Sequence, residues 1–398
     1  MGKDLKGKEL GSGIYQRKDG RYEGKYVDRF GKRRSCYSNT VSGVKRQINE
    51  KIYEDKHELS VVEDGIKLDD WYKRWMKVYK EESVRSNTLQ RYDQLYKKHI
   101  SPELGNLAIN DISHFNVQLF INNLKQKNLG WETQNATRIL LVDLFNRAMI
   151  DNYCRSNPAK GIRLPSNKPQ HATKFLTTEE QTTFFNTCSG TWYDNLFNVA
   201  INTGLRPGEL FALSWGDIDL EKRLIHVRHT LVYQQYLNDT KKTFHLEPPK
   251  TQSGLRDVPI NDICLKHLQK QHIQKTIIAN KKGSNEEFSD RLFVTRNNTP
   301  LNSQIYADAI HSIISEINLM RDELEEIEAF SGHTFRHTFA SRCIEAGVNP
   351  KVLQEILGHA TLQMTMDLYV HNSDETKEKA LKRIEEEFAK LEINTNVL

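Results

Sequence analysis

The hydrophobic period of this 398-residue chain changes twice, which no single small fold accommodates. In residues 13 to 40, "GIYQRKDGRYEGKYVDRFGKRRSCYSNT", the turn signals "KDG" and "RFGK" separate three short runs holding Tyr15, Tyr22, Tyr26, Val27 and Tyr37. That pattern predicts a three-stranded antiparallel meander, backed by a helix over 44–56. Alternation in the middle run sends Tyr22 and Tyr26 to one face and Glu23, Lys25 and Val27 to the other. From Lys67 the period is helical. Leu68, Trp71, Trp75 and Val78 recur at spacings of three and four, followed by a start signal "SNT", a stop at "SPELG" and helical runs at 113–126 and 131–150. The tryptophans read as the core of this bundle rather than as surfaces for stacking on bases.

The Pro-rich, basic stretch "NPAKGIRLPSNKPQHATK" reads as a connector. Beyond Lys174 the pattern is mixed. "LTTEEQTTFF" carries a capping start, "DNLFNVAINTG" a helix closed by Gly204, and "RPGELFALSW" a helix with Pro207 in its first turn. Strands are expected at "RLIHVRHT", "LVYQQYL", "LRDVPI" and "RLFVT", then a long helix from Ser303 through "RDELEEIEAF". The expected boundaries are a first domain at 1–60, a helical domain at 61–158, a linker at 159–173 and a mixed, mainly α domain with a small antiparallel sheet at 174–398.

Charge is unevenly spread. Residues 1 to 46 hold thirteen Lys and Arg against five Asp and Glu, or +8, while the rest of the chain sums to −3. Nucleic acid is the commonest target of such a segment, and Arg17, Lys18, Arg21, Lys25, Arg33 and Arg34 are its candidate contacts. No apolar run approaches the length of a membrane helix, and the amino terminus lacks a signal peptide's apolar stretch, so no membrane partner is expected. Five scattered cysteines without a C-x-x-C pair read as reduced thiols of a cytoplasmic protein.

The stretch "SGHTFRHTFASRC" puts His333 and His337 four apart, a spacing that also suits zinc. Arg336 beside them argues against a second cation, and Thr334 stands where a metalloprotease would carry its carboxylate base. "GKDLKGKE" nearly spells a nucleotide-binding loop, but Glu9 replaces the magnesium-binding Ser or Thr and no strand precedes it. No cluster of acidic residues stands at metal-ligand spacing either, so phosphoryl chemistry here would run without a metal, and no cofactor is expected. Such chemistry needs fixed positive charge, a nucleophile and a proton donor. Arginine suits the first task, and Arg336 and Arg206, the latter at a helix start, are candidates.

Taken together, Arg206 in "TGLRPGEL", Lys250 in "PPKTQSGLRDVPI", His333 and Arg336 in "HTFRH", His359 in "LGHA" and Tyr369 in "TMDLYVH" resemble the tyrosine recombinase family, in that family's order. The likeness is strongest to integrases of phages and conjugative transposons, and it extends to the two preceding segments. It implies a site-specific recombinase that cuts and rejoins DNA through a 3′-phosphotyrosyl intermediate and a four-way junction. Tyr369 would be the nucleophile, His333 its base, Arg206, Arg336 and His359 the phosphate clamp, and Lys250, on an expected hairpin tip, the general acid. Glu209, three residues after Arg206, would orient the site, and His337 is left as structural. The resemblance also implies a homo-tetramer on double-stranded core and arm sites, with an excisionase or host DNA-bending protein as accessory. The carboxy-terminal stripe of Leu381, Ile384, Phe388 and Leu391 would either pack on its own domain or dock on a neighbour. A topoisomerase-like strand passer and a DNA-binding regulator with relic catalytic residues are the competing readings.

Overall fold

The structure is a computed structural model that describes residues 2–28, 31–56, 65–164, 174–282, 287–319, 321–322 and 325–369, with residues 381, 384–386 and 388–389. It divides into two compact units, Met1–Pro169 and Gln170–Leu398.

In the first unit, the stretch that resembled a nucleotide loop is a hairpin of β1 (Gly2–Lys3) and β2 (Glu9–Gly11), an element not expected from the sequence. Its turn is built by Asp4, whose carboxylate accepts the backbone N–H groups of Lys6 and Lys8. The expected meander follows as β3 (Ile14–Gln16), β4 (Tyr22–Val27) and β5 (Arg33–Ser38), paired antiparallel in that order. Helix α1 (Val41–Lys56) packs Val44 and Ile48 onto Gly24 of the central strand. A Cβ at Gly24 would lie 2.4 Å from Val44, so the close approach of helix to sheet requires glycine there.

A separate apolar core joins the helices of this unit. Helix α2 (Leu68–Trp75) runs on through a π-helical turn at Met76–Lys80, and α3 (Ser86–Leu95) through another at Tyr96–Gly105, carrying Pro102 inside before it stops at the expected place. Helices α4 (His114–Gln126) and α5 (Trp131–Ile150) complete the bundle, α4 starting at a Ser113 cap. Trp71 and Trp75 are buried, with Trp71 Nε1 donating to the Leu144 carbonyl at 3.2 Å. One boundary moves: Ala159 and Ile162, in the stretch expected as linker, are buried in this core. They belong with the bundle because their apolar side chains complete it.

The second unit begins with α6 (Thr178–Cys188), capped reciprocally by Thr177 and Glu180 as the sequence predicts. Helix α7 (Asp194–Thr203) closes at Gly204 and α8 (Pro207–Ala212) opens at once, with Arg206 at its N-cap. Strands β6 (Ile218–Asp219), β7 (Leu224–Val227) and β10 (Arg256–Pro259) make one antiparallel sheet in the order β10-β7-β6. β8 (Thr230–Gln234) pairs instead with β9 (Thr243–Glu247) in a separate hairpin. Helices α9 (Asp262–Lys282), α10 (Ser303–Asn318), α11 (His333–Glu345), α12 (Pro350–Leu357) and α13 (Leu362–Tyr369) follow.

Three expectations for this unit need correction. "RLFVT" forms no strand of a sheet: Arg291 to Val294 are buried, with a bend at Leu292 and Phe293 between single bridges to Ser214 and Pro300. The helix from Ser303 stops at Asn318, because the Asn318 side chain pairs with both the N–H and the carbonyl of Ile327 and turns Ile327 and Phe330 back into the core. Lys250 is not on a hairpin tip: the tip lies between β8 and β9, whereas Lys250 occupies an exposed bend just beyond β9. In the carboxy-terminal stripe Leu381, Ile384 and Phe388 are exposed, and Leu391 lies outside the described residues.

All five cysteines are free thiols. No helix among the described residues is long and apolar enough to cross a membrane.

Candidate active site

Helix α12 ends at Gly358, which adopts the left-handed conformation at φ 65° and frees the last carbonyls of the helix from intrahelical bonding. Three successive carbonyls at this end each accept from a different arginine. Ile356 O takes Arg256 Nε at 2.6 Å, Leu357 O takes Arg336 Nη2 at 2.7 Å, and Gly358 O takes Arg206 Nη2 at 3.0 Å. The negative end of the helix dipole thus faces three guanidiniums brought from β10, α11 and the start of α8. No side chain would fit at residue 358, since a Cβ there meets Ser253 O at 2.7 Å.

Glu209 lies in the middle of these cations, 3% exposed. Its position three residues into α8 lets Oε2 accept the Arg206 backbone N–H at 2.9 Å, while Oε1 accepts Arg206 Nη1 at 2.7 Å. Arg256 grips the same carboxylate with both terminal nitrogens, at 3.0 and 2.8 Å. Burial works to raise the Glu209 carboxyl, and the Arg256 hydrogen bonds with the charges of Arg256 and Arg206 outweigh it, leaving a carboxylate below its usual range. Arg336 is buried, and its Nη1 also holds the Gly204 carbonyl at 2.8 Å. Desolvation, followed by the charge of Arg206, pushes it down to about 9, still a cation at neutral pH.

The histidines are neutral bases in this field. His359 follows the Gly358 turn and is buried, with Nδ1 2.9 Å from the Thr365 hydroxyl of α13. Burial first, then Arg336 and Arg206, pushes it down to about 4. His333 opens α11 with its side chain accessible to solvent, yet low enough in the site that desolvation, ahead of Arg336 and Arg206, lowers it as well. His337 is pushed down to about 4 by burial and then by His333 and Arg336.

Arg206, Glu209, His333, Arg336 and His359 therefore converge on one site. Lys250 stands on its exposed bend, next to the 3₁₀ turn Gln252–Gly254 whose Ser253 carbonyl abuts Gly358. Tyr369 ends α13, and its side chain lies outside the described residues. Arg256 was not singled out from the sequence. Its only signal was an arginine inside an apolar alternation, "LRDVPI", where a strand should point an apolar side chain inward.

The basic residues of the amino-terminal sheet are distributed differently. Tyr15, Arg17, Glu23, Lys25, Arg33 and Tyr37 share the face opposite α1, with Arg17 5.4 Å from the centre of the Tyr37 ring and Lys25 5.5 Å from that of Tyr15. Glu23 sits centrally, in ion pairs with Arg17 at 3.9 Å and Lys25 at 3.8 Å. Lys18 and Arg21 lie on the β3–β4 turn, Arg21 bonded to Asp19. Arg34 departs from the set: alternation puts it on the α1 side, paired with Asp28 at 3.0 Å.

Comparison with known proteins decides the lineage. The sequence pattern described as Phage integrase family matches residues 174–376, just over half of the chain. The chain belongs to the phage integrase family. The pattern of the Phage integrase, N-terminal SAM-like domain matches residues 67–125, and that of the DNA binding domain of tn916 integrase matches residues 1–60. The transposase from transposon Tn916 of Enterococcus faecalis is 28% identical, with 97% of each chain covered, and so is the transposase from transposon Tn1545 of Streptococcus pneumoniae. Among solved structures, the Tn1549 transposon integrase in complex with a circular intermediate DNA shares the fold at a TM-score of 0.68 and 24% identity, covering 80% of this chain and 99% of that one. A lambda integrase tetramer bound to a Holliday junction shares it at a TM-score of 0.55 and 18% identity, over 91% and 95% of the two chains. This integrase is a tyrosine-type, site-specific DNA recombinase, an enzyme that integrates or excises a mobile element by cutting and rejoining strands.

Proposed function

We propose that the scissile phosphate binds between Arg206 and Arg336 and is attacked by Tyr369, giving a 3′-phosphotyrosyl bond and a free 5′-hydroxyl. The observation that carries this assignment is the set of three guanidiniums held on successive carbonyls at the end of α12, beside neutral His359. Positive charge already gathered at the site is what a phosphoryl transition state requires. A phenol is a weak nucleophile until it loses its proton, and His333, kept unprotonated by its surroundings, can accept it. With Nδ1 of His359 engaged by Thr365, Nε2 is the nitrogen left for a phosphate oxygen. Lys250 delivers the proton to the departing 5′-oxygen from its exposed bend, and Glu209 holds Arg206 in line. Because one phosphodiester replaces another, a second 5′-hydroxyl reverses the step without ATP.

The same reading assigns residues 1–60 to arm sites and residues 61–158 with 174–398 to the core site, within a tetramer on paired DNA. It is supported by the exposed cationic sheet face and by the lambda integrase tetramer on a Holliday junction. An excisionase or host DNA-bending protein would set direction.

A nicked duplex made from the joined ends of the element that carries the gene traps the covalent intermediate. Wild type should give a protein–DNA band on a denaturing gel and Tyr369→Phe none. Absence of the band from wild type on DNA that it binds would overturn the assignment. Supercoil relaxation and paired-site recombination, run on the same plasmids, separate a recombinase from a strand passer.

A further inference from the structure

Arg256 is given no contact with the phosphate in the chemistry proposed above, yet it is buried and donates to both oxygens of Glu209, to Ile356 O and, at 3.2 Å, to Gly254 O. We infer that Arg256 is a positioning residue for strand cleavage, the counter-charge that occupies Glu209 and leaves the charge of Arg206 available to the phosphate. The inference rests on the reading of Arg206 as a phosphate clamp.

The electrostatics follow from the arrangement. Arg206, Glu209 and Arg256 together carry one net positive charge, and Arg336 beside them makes two. Without Arg256, the buried carboxylate would have Arg206 as its main partner, and that pair would offer little net field to an anion. Arg206 is also the half-buried member, joined to Glu209 through a single side-chain nitrogen, whereas Arg256 is buried and joined through two. When a phosphate arrives, Arg206 must turn N–H groups from Glu209 and Gly358 toward it. The fork of Arg256 keeps the carboxylate satisfied while that happens, because a buried acceptor left unpaired would resist the change. Arg256 Nε on Ile356 O also fixes the end of α12 from which His359 projects.

A purely structural tie between β10, α8 and α12 would make the same contacts, so the test turns on charge. Full-length wild type, R206Q, R256M, R256K and the double variant E209Q/R256M are compared by single-turnover formation of the covalent complex on the nicked duplex. Gel shift reports DNA affinity, and thermal melting reports folding. R256M should slow cleavage about 100-fold while DNA affinity changes by no more than about threefold. The double variant removes one negative and one positive charge together, and should cleave about tenfold faster than R256M. R256K, which keeps the charge and loses the fork, should fall between R256M and wild type. A double variant no faster than R256M, or R256M at the wild-type rate, overturns the inference. If R256M lacks a thermal transition, R256K decides: a rate within about tenfold of wild type upholds the charge role, and a loss as deep as that of R206Q overturns it. Wild-type cleavage by R206Q would instead overturn the clamp reading on which this one rests.

Discussion

The cations of the amino-terminal sheet and those of the candidate active site are held by different groups. On the sheet, Arg17 and Lys25 lie over tyrosine rings and make long ion pairs with Glu23 in contact with water. Such charges are screened by salt and move with their flexible stems, which suits contacts that position a duplex. At the active site, Arg256 and Arg336 are buried and anchored to backbone carbonyls and to a carboxylate that is itself 3% exposed. Their charge is desolvated and fixed before substrate arrives, which suits a transition state whose charge develops in one place. Charge count alone does not separate binding from catalysis; solvation and anchoring do.

The largest expected effect tests the buried side of this contrast. Arg336→Gln should lower the single-turnover cleavage rate by about 1,000-fold, with core-site affinity little changed, as gel shift and trapping on the same DNA would reveal. Equal losses in binding and cleavage would reduce Arg336 to an ordinary phosphate contact.

Desolvation at the site should also appear as acid sensitivity. His337 and His359 titrate at about 4 in the folded chain against 6.5 when unfolded. Between those values the unfolded chain binds more protons, so stability falls as pH drops from 6.5 toward 4, by on the order of 1 kcal/mol for each histidine after solvent screening. Denaturant melts across that window check the loss, and His337→Gln should remove about half of it. Cleavage should persist below pH 6.5, since His333 and His359 both resist protonation.

On the exposed side, replacing Arg17, Lys25 and Arg33 together by Gln should weaken arm-site binding by about 100-fold at moderate salt and flatten the slope of log affinity against log salt by about three. Anisotropy titrations at several salt concentrations measure both. Cleavage of a core-site duplex should not change, and a fall there would erase the contrast. Glu23→Gln is the smallest test: releasing Arg17 and Lys25 from a half-buried acid should raise arm-site affinity by about threefold or less.

How much of this was legible beforehand depended on range. The meander, the Thr177 cap, the Gly204 stop and the Pro207 start were readable because turns and caps are made by residues within four positions of one another. The Arg206–Glu209 pair was readable for the same reason. Helix α9 was missed because Gln271 and Lys275 occupy core-facing positions and interrupt its apolar period. They are buried only because Leu292 O, Ser289 O and the Asn298 side chain meet them from a distant stretch. "RLFVT" misled in the opposite sense, since a fully buried apolar run looks like a strand whether or not a neighbouring strand is there to pair with it.

By itself, the sequence determined the local elements, the order of candidate catalytic residues and the concentration of positive charge in the first 46 residues. The elements and the charge depend on spacing and composition, which need no knowledge of distant partners, and the catalytic candidates were legible through motifs that resemble those of a known family. Only the tertiary structure decided that Arg256 belongs with Glu209, 47 positions away, that Arg206 meets the Gly358 carbonyl across 152, and that Arg34 turns from the open face. The reason is physical: a buried charge takes its character from whatever desolvates and pairs with it, and those groups come together only when the chain closes on itself.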